Sequence, residues 1–250
     1  MFSAILQLKE FSMLSNTLKI YRREMSAYFN SPVAYITMVV FLLISAWFFI
    51  STFFLVNESD LRNLFSVVPI IYIFFIPAIT MGLIARERSE NTMEFLTTLP
   101  ISDTEIVVGK WLAALSLVAA TLAFTLVHFI TLLFIGTNLD IGALLSGYLG
   151  LLFAAAVYTA AGTFGSSLTD NQITAFILSF LIIFLFFIVD KFLFFVPGFL
   201  TAALQYISMD YHLGNMSRGV IDSRNIIYFV SAAAFFLLLS TRILEMRKWR

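Results

Sequence analysis

The chain has 250 residues, of which 60% are hydrophobic and 12% charged, with a mean hydropathy of +0.95. A soluble domain carries roughly 25% charged residues, so this composition places the chain among polytopic membrane proteins. Lys plus Arg equal Asp plus Glu at 15 each, which gives no sign of a nucleic-acid partner, and the absence of cysteine excludes disulfides, Cys-ligated metals and thiol chemistry.

Met1-Phe2-Ser3 followed by Lys9 and Glu10 does not read as a cleaved signal peptide, because no apolar stretch follows early enough. Residues 14–31 come next as a basic amphipathic segment. Leu14, Leu18, Tyr21, Met25 and Tyr28 share one helical stripe, while Lys19, Arg22, Arg23 and Ser26 fall largely on the opposite side. Such a helix lies on a membrane surface, and Ser31-Pro32 ends it and turns the chain into the first span. It reads either as a plain interfacial anchor or as a helix that also meets a partner.

Charges then bracket the apolar runs. Glu24 to Glu58 encloses 33 uncharged residues, Arg62 to Arg86 encloses 23, and Lys110 to Asp140 and Asp140 to Asp170 enclose 29 each. Asp170 to Asp190 encloses 19 and Arg224 to Arg242 encloses 17. A helix needs about 20 apolar residues to cross a ~30 Å hydrocarbon core. Six spans are therefore predicted, near 34–56, 65–85, 107–135, 143–167, 172–190 and 225–243. The run from Lys191 to Asp210 contains Pro197-Gly198, so residues 191–224 read as a re-entrant or short-helix segment, not a seventh span.

Basic residues orient the bundle. Lys9, Lys19, Arg22, Arg23, Arg86, Arg88, Lys110, Arg242, Arg247, Lys248 and Arg250 fall on one side; Arg62, Lys191, Arg218 and Arg224 fall on the other. The positive-inside rule then expects both termini and the Arg86 segment in the cytoplasm.

That segment, 86–104, is the most telling part of the sequence. Arg86 and Glu90 stand four apart and can pair on one helical face. Glu87, Glu90 and Glu94 keep its first part acidic, Phe95, Leu96 and Leu99 offer an apolar patch, and Pro100 stops the helix. Ser102 or Asp103 caps the next helix. Exposed Phe and Leu flanked by charge point to a protein-docking surface, against the plainer reading of a solvated loop.

Within the spans, His128 lies deep in the third helix, where a hydrogen bond to a neighbouring helix would satisfy it. Ala154 to Ser167 is dense in small residues and expects close helix packing. Beyond the fifth span, Phe192, Phe194, Phe195, Pro197 and Phe199 form an aromatic broken stretch, and Tyr211, His212, Asn215 and Arg218 follow. His212 has no second histidine near it in sequence. Gly109-Lys110-Trp111 lacks the upstream Gly and the Ser/Thr of a P-loop, so the chain cannot bind ATP in that way. Neither H-E-x-x-H nor G-x-S-x-G occurs.

Together these features resemble the permease subunits of ABC-2 type transporters. The resemblance is closest to the gliding-motility-associated permeases of Bacteroidetes-type bacteria, with the nitrous-oxide-reductase maturation permeases as relatives. Arg23-Glu24-Met25-Ser26-Ala27-Tyr28-Phe29-Asn30-Ser31-Pro32-Val33-Ala34-Tyr35 looks like the elbow helix of that family leading into the first span. Glu87-Arg88-Ser89-Glu90-Asn91-Thr92-Met93-Glu94-Phe95-Leu96, with Leu99-Pro100-Ile101-Ser102 and Gly109-Lys110 after it, is similar to the family's coupling loop. The usual Gly before the Thr is here Asn91, a residue that tolerates left-handed backbone.

The resemblance implies an all-α, six-helix permease of the type V exporter-like kind, forming one transmembrane domain over 1–250 without catalysis of its own. It implies a homo- or heterodimer in the bacterial inner membrane, docked on a separate ABC ATPase that holds the ATP and Mg. Arg86, Glu87, Arg88, Glu90, Thr92, Glu94, Phe95, Leu96 and Leu99 would form the docking loop. Lys19, Arg22, Arg23, Glu24, Tyr28, Phe29 and Pro32 would belong to the elbow helix. An extracytoplasmic accessory protein is a further expected partner, and gliding motility a process the complex would serve. Two other readings stay open from the residues: a scaffold of a motility or secretion complex without transport, and an ion-coupled transporter, for which His128 is the sole intramembrane charge carrier.

Overall fold

A computed structural model describes residues 2–56, 60–93, 100–136, 139–192 and 205–247, with side chains described from Asn16 onward except at 55, 56, 190 and 247. No strand occurs among the described residues. The first helix, α1, runs Phe2–Phe29, and α2 runs Pro32–Ile50 before a π-helical turn over Ser51–Val56. The second span is α3, Arg62–Thr80, followed after a turn by the short α4, Ala85–Ser89. The third is α5, Asp103–Phe124, with α6, Leu126–Ile135; the fourth is α7, Ile141–Ser167; the fifth is α8, Gln172–Phe192. A short helix α9, Met209–Ser217, precedes the sixth span α10, Ser223–Arg247. Six helical stretches are long and apolar enough to cross a membrane, at Pro32–Phe54, Arg62–Ser89, Asp103–Ile135, Ile141–Ser167, Gln172–Val189 and Ser223–Met246. All six agree with the charge-bracketed runs.

The small-residue helix α7 sits at the centre, packed against α3, α5, α8, α9 and α10. Its glycines explain the closeness. A Cβ at Gly162 would lie 2.2 Å from Thr80 Oγ1, and one at Gly165 would lie 2.9 Å from the Ser179 backbone nitrogen. Larger residues there would hold the spans apart, as the composition of 154–167 led us to expect. By contrast α2 and α8 keep long apolar faces outward, including Ile36, Leu43 and Trp47 on α2 and Ile173, Ile177 and Leu185 on α8.

Local chemistry sets the helix boundaries. The Ser31 hydroxyl accepts from Val33 N–H and Pro32 opens α2, so the elbow turn forms where the sequence places it. Ser102 caps α5 in a complete capping box: its hydroxyl accepts from Glu105 N–H, and the Glu105 carboxylate accepts from Ser102 N–H at 2.6 Å.

Three expectations need correction. The first helix begins at Phe2, not near residue 14; no Gly or Pro interrupts 2–13. Beside its membrane-directed stripe, the helix also turns a second row toward the protein. Ile20 is buried while Leu18 is 46% exposed. The row Asn16, Ile20, Glu24 and Tyr28 faces the bundle, and Leu18 is left for lipid. The third span is broken at Thr125, whose hydroxyl bonds the Leu122 carbonyl while His128 N–H bonds back to the Thr125 carbonyl three residues earlier. Finally, His128 is held by stacking on Phe49 (ring centroids 4.6 Å apart), and its Nε2 is buried without a hydrogen-bond partner. The aromatic stretch 193–204 lies outside the described residues.

Candidate functional site: the joint at the Arg86 segment

The second span does not run straight into the Arg86 segment. α3 ends at Thr80, residues 81–84 form a turn, and helix resumes only at Ala85. Pro77 inside α3 has already removed one donor from its last turns. Two outside groups take up bonds freed by this break. Tyr28 O–H of α1 donates to the Ile79 carbonyl at 2.9 Å. The Ser166 hydroxyl of α7 accepts from Ile84 N–H (3.0 Å) and Ala85 N–H (3.1 Å), and donates to the Met81 carbonyl (2.9 Å). That hydroxyl caps α4, as buried backbone donors at a helix start require.

Beside the break, four charged side chains from three distant stretches meet. Lys110 Nζ of α5 lies 2.9 Å from Glu24 Oε1 of α1 and 2.9 Å from Glu87 Oε2 of α4. Arg23 bridges the same two carboxylates, at 2.6 Å to Glu24 and in close contact with Glu87. Two acids and two bases leave the cluster formally neutral. The Lys110 side chain is only 1% exposed and both glutamates are 15% exposed. Arg23, 48% exposed, faces water, whereas removing the buried Lys110 leaves carboxylate charge in low dielectric, which is strongly unfavourable. Burial pushes the Glu24 carboxyl up, but Lys110 and Arg23 beside it outweigh burial and hold it below the usual carboxylate range. Burial likewise opposes the Arg23 charge, and Glu24 and Glu87 more than offset it, so its guanidinium is held more firmly protonated than usual.

Gly109 lets α1 lie this near α5. A Cβ there would stand 2.9 Å from the Ile20 side chain and 3.0 Å from the Thr17 carbonyl. Asn16 adds a long bond to Glu105 at 3.4 Å. So the elbow helix, the Arg86 segment and the third span form one packed joint.

The expected docking residues divide by direction. Arg86 pairs with Glu90 at 2.9 Å as the spacing predicted, and both stay exposed at 61% and 51%. Thr92 is exposed as well, and its hydroxyl donates to the Glu87 carbonyl. Glu87 turns inward to Lys110, and Arg88, 9% exposed, donates to the Ser167 carbonyl of α7 at 2.5 Å. The helix also stops sooner than expected, at Ser89, with Asn91 at φ +57° and helical turn again at Thr92. Asn91 is the non-glycine residue with positive φ among the described residues, and the left-handed backbone is the conformation that a Gly at this place would also supply. Glu94, Phe95, Leu96 and Leu99 lie outside the described residues. Of the elbow residues, Lys19, Arg22 and Phe29 are exposed, whereas Glu24 and Tyr28 are turned into the joint.

Sequence reasoning did not foresee that Lys110 is the centre of this cluster. Its signal was a lysine eight residues into a membrane-entering helix, a position that needs a counter-charge. A cavity of about 150 Å³ opens on the α1–α2 side of the break, lined among others by Ala34, Thr37, Met81, Gly82, Leu83 and Gln172.

A six-span helical bundle with a structured turn between its second and third spans, fastened to the N-terminal helix, defines a multi-pass membrane protein. The model of the ABC-2 family transporter proteins matches residues 64–242, and the chain belongs to that family. Compared with curated proteins, the chain matches none at a significant level. The family match starts inside α3, so α1 and α2 precede the matched stretch.

Proposed function

We propose that this transporter subunit couples ATP hydrolysis by a separate ATPase to export or to force transmission across the bacterial inner membrane. The 86–99 segment is its docking element. The observation that carries this reading is the Arg23–Glu24–Glu87–Lys110 cluster. It anchors α4 from the inside and leaves Arg86, Glu90 and Thr92 facing outward. A segment so fastened delivers a push from a partner to α1 and the third span at once, which is what coupling between two sites requires. Family membership supports an ABC ATPase as that partner, and ATP and Mg are held there. The distribution of Lys and Arg supports cytoplasmic termini. Dimerisation, an extracytoplasmic accessory protein and a part in gliding motility rest on the resemblance described above.

The test is co-purification of the tagged chain from its own membranes in mild detergent, comparing wild type with Glu90→Lys/Glu94→Lys. The wild type is expected to bring down an ATP-hydrolysing subunit and the variant to lose it. A wild type that brings down no such subunit, even after crosslinking in intact membranes, overturns the reading in favour of a scaffold. Vanadate-sensitive ATP hydrolysis without substrate flux in vesicles assigns the complex to force transmission.

A further inference from the structure

The coupling end and the opposite end of this bundle are joined by one helix that has hydrogen-bonded hydroxyls near both tips. At the first tip, Ser166 makes the three bonds to the 81–85 break described above, and Ser167 receives Arg88. At the other tip, Ser146 Oγ donates to the Met216 carbonyl of α9 at 2.6 Å. Both serines are fully buried. They stand twenty residues apart on α7, roughly 30 Å along a helix at 1.5 Å per residue.

Three further features make α7 a stiff member. Its backbone lies against α3 at Gly162 and against α8 at Gly165, so it has little room to bend. At the α9 end, a Cβ on Gly150 would lie 2.8 Å from Leu213 and 3.1 Å from Met216, so that contact is also close. The second span, by contrast, is interrupted between Thr80 and Ala85 and carries Pro69 and Pro77. Around this break the cavity lies on one side and Ser166 on the other.

We infer that Ser166 and Ser146 are positioning residues through which α7, rather than the covalently adjacent α3, carries displacement of α4 to the far-side helix α9. The inference rests on the proposed function, because it needs a partner that moves α4. Its physical content is a contiguous chain of hydrogen bonds and close backbone packing from Ala85 to Met216. Peptide continuity through α3 is the competing route, and the turn at 81–84 makes it the softer one.

The chain has no cysteine, so single spin labels can be placed without altering the background. A label at Tyr211→Cys, an exposed site on α9, reports the far side of the proposed route; one at Ser66→Cys, exposed on α3, reports the competing one. In the wild-type complex isolated from its own membranes, ATP with vanadate is expected to shift the spin-label mobility at 211 and not at 66. In Ser166→Ala the 211 shift is expected to disappear while the ATPase still co-purifies and hydrolyses ATP. In Ser146→Ala it is expected to disappear at 211 and persist for a label at Ile141→Cys. A 211 shift that survives in Ser166→Ala overturns the routing. So does a wild-type shift at 66 without one at 211, a result that needs no serine variant to fold. If the wild type binds no ATPase at all, the proposed function falls first and the routing falls with it.

Discussion

The two ends of the bundle are held by different chemistry. At the end carrying the Arg86 segment, residues 23, 24, 87 and 110 meet in a cluster built around the buried Lys110 that joins three separate elements. At the opposite end, ion pairs among the described residues are exposed, as with Arg62–Asp60 and Lys191–Asp210. Aromatic packing does the holding there. His212 is buried, stacked on Tyr228 at 4.1 Å between centroids, with Nδ1 2.8 Å from Asn225 Oδ1 and Nε2 3.1 Å from the Tyr206 carbonyl. Tyr228 O–H in turn donates to the Ile207 carbonyl. The contrast is between a charged joint across three elements far apart in sequence and an aromatic joint between the neighbouring α9 and α10.

Three changes break or sharpen that contrast, beginning with the largest. Lys110→Met leaves two buried carboxylates facing Arg23 alone, and losses of about 3–5 kcal/mol follow when one partner of a buried pair is removed. Thermal unfolding in detergent is expected to fall accordingly, and cysteine crosslinks between α1 and α5 to fail. Unchanged stability would mean the cluster is not buried as described. His212→Leu at the far end strands the Asn225 amide and the Tyr206 carbonyl. A loss on the order of 1–3 kcal/mol is expected for such stranded groups, read in the same unfolding assay, with the α1–α5 crosslink intact. Arg86→Ala removes only an exposed pair four residues apart, worth a few tenths of a kcal/mol. Its unfolding temperature should match wild type within error; a large drop would show that Arg86 faces inward like Glu87.

Six spans were legible because charged residues bracket every apolar run and because lipid demands runs of that length. The Ser102 cap, the Arg86–Glu90 pair and the Ser31-Pro32 turn were legible for a different reason: each is a local rule involving residues at most four apart. What stayed hidden is non-local. Lys110 stands 86 residues from Glu24, and Arg23 stands 64 from Glu87, yet all four meet in one cluster, and no periodicity encodes that. Glu87 and Glu90 look alike in sequence and face opposite ways. The break at Thr125 has neither Gly nor Pro to announce it. That α1 also packs on the protein through Ile20 stayed hidden, because the apolar stripe through Leu18 speaks only of its membrane side.

The order of residues in the Lys110 cluster also bears on how the protein is made. Synthesis runs from the N-terminus, so Glu24 and Glu87 leave the ribosome before Lys110 does. The two carboxylates wait in water with Arg23 until the third span arrives carrying the ammonium group that closes the joint. A nascent chain stopped after the second span would hold α1 and α4 by the Arg23–Glu87 pair alone, and the insertion of the third span is the step that completes the joint.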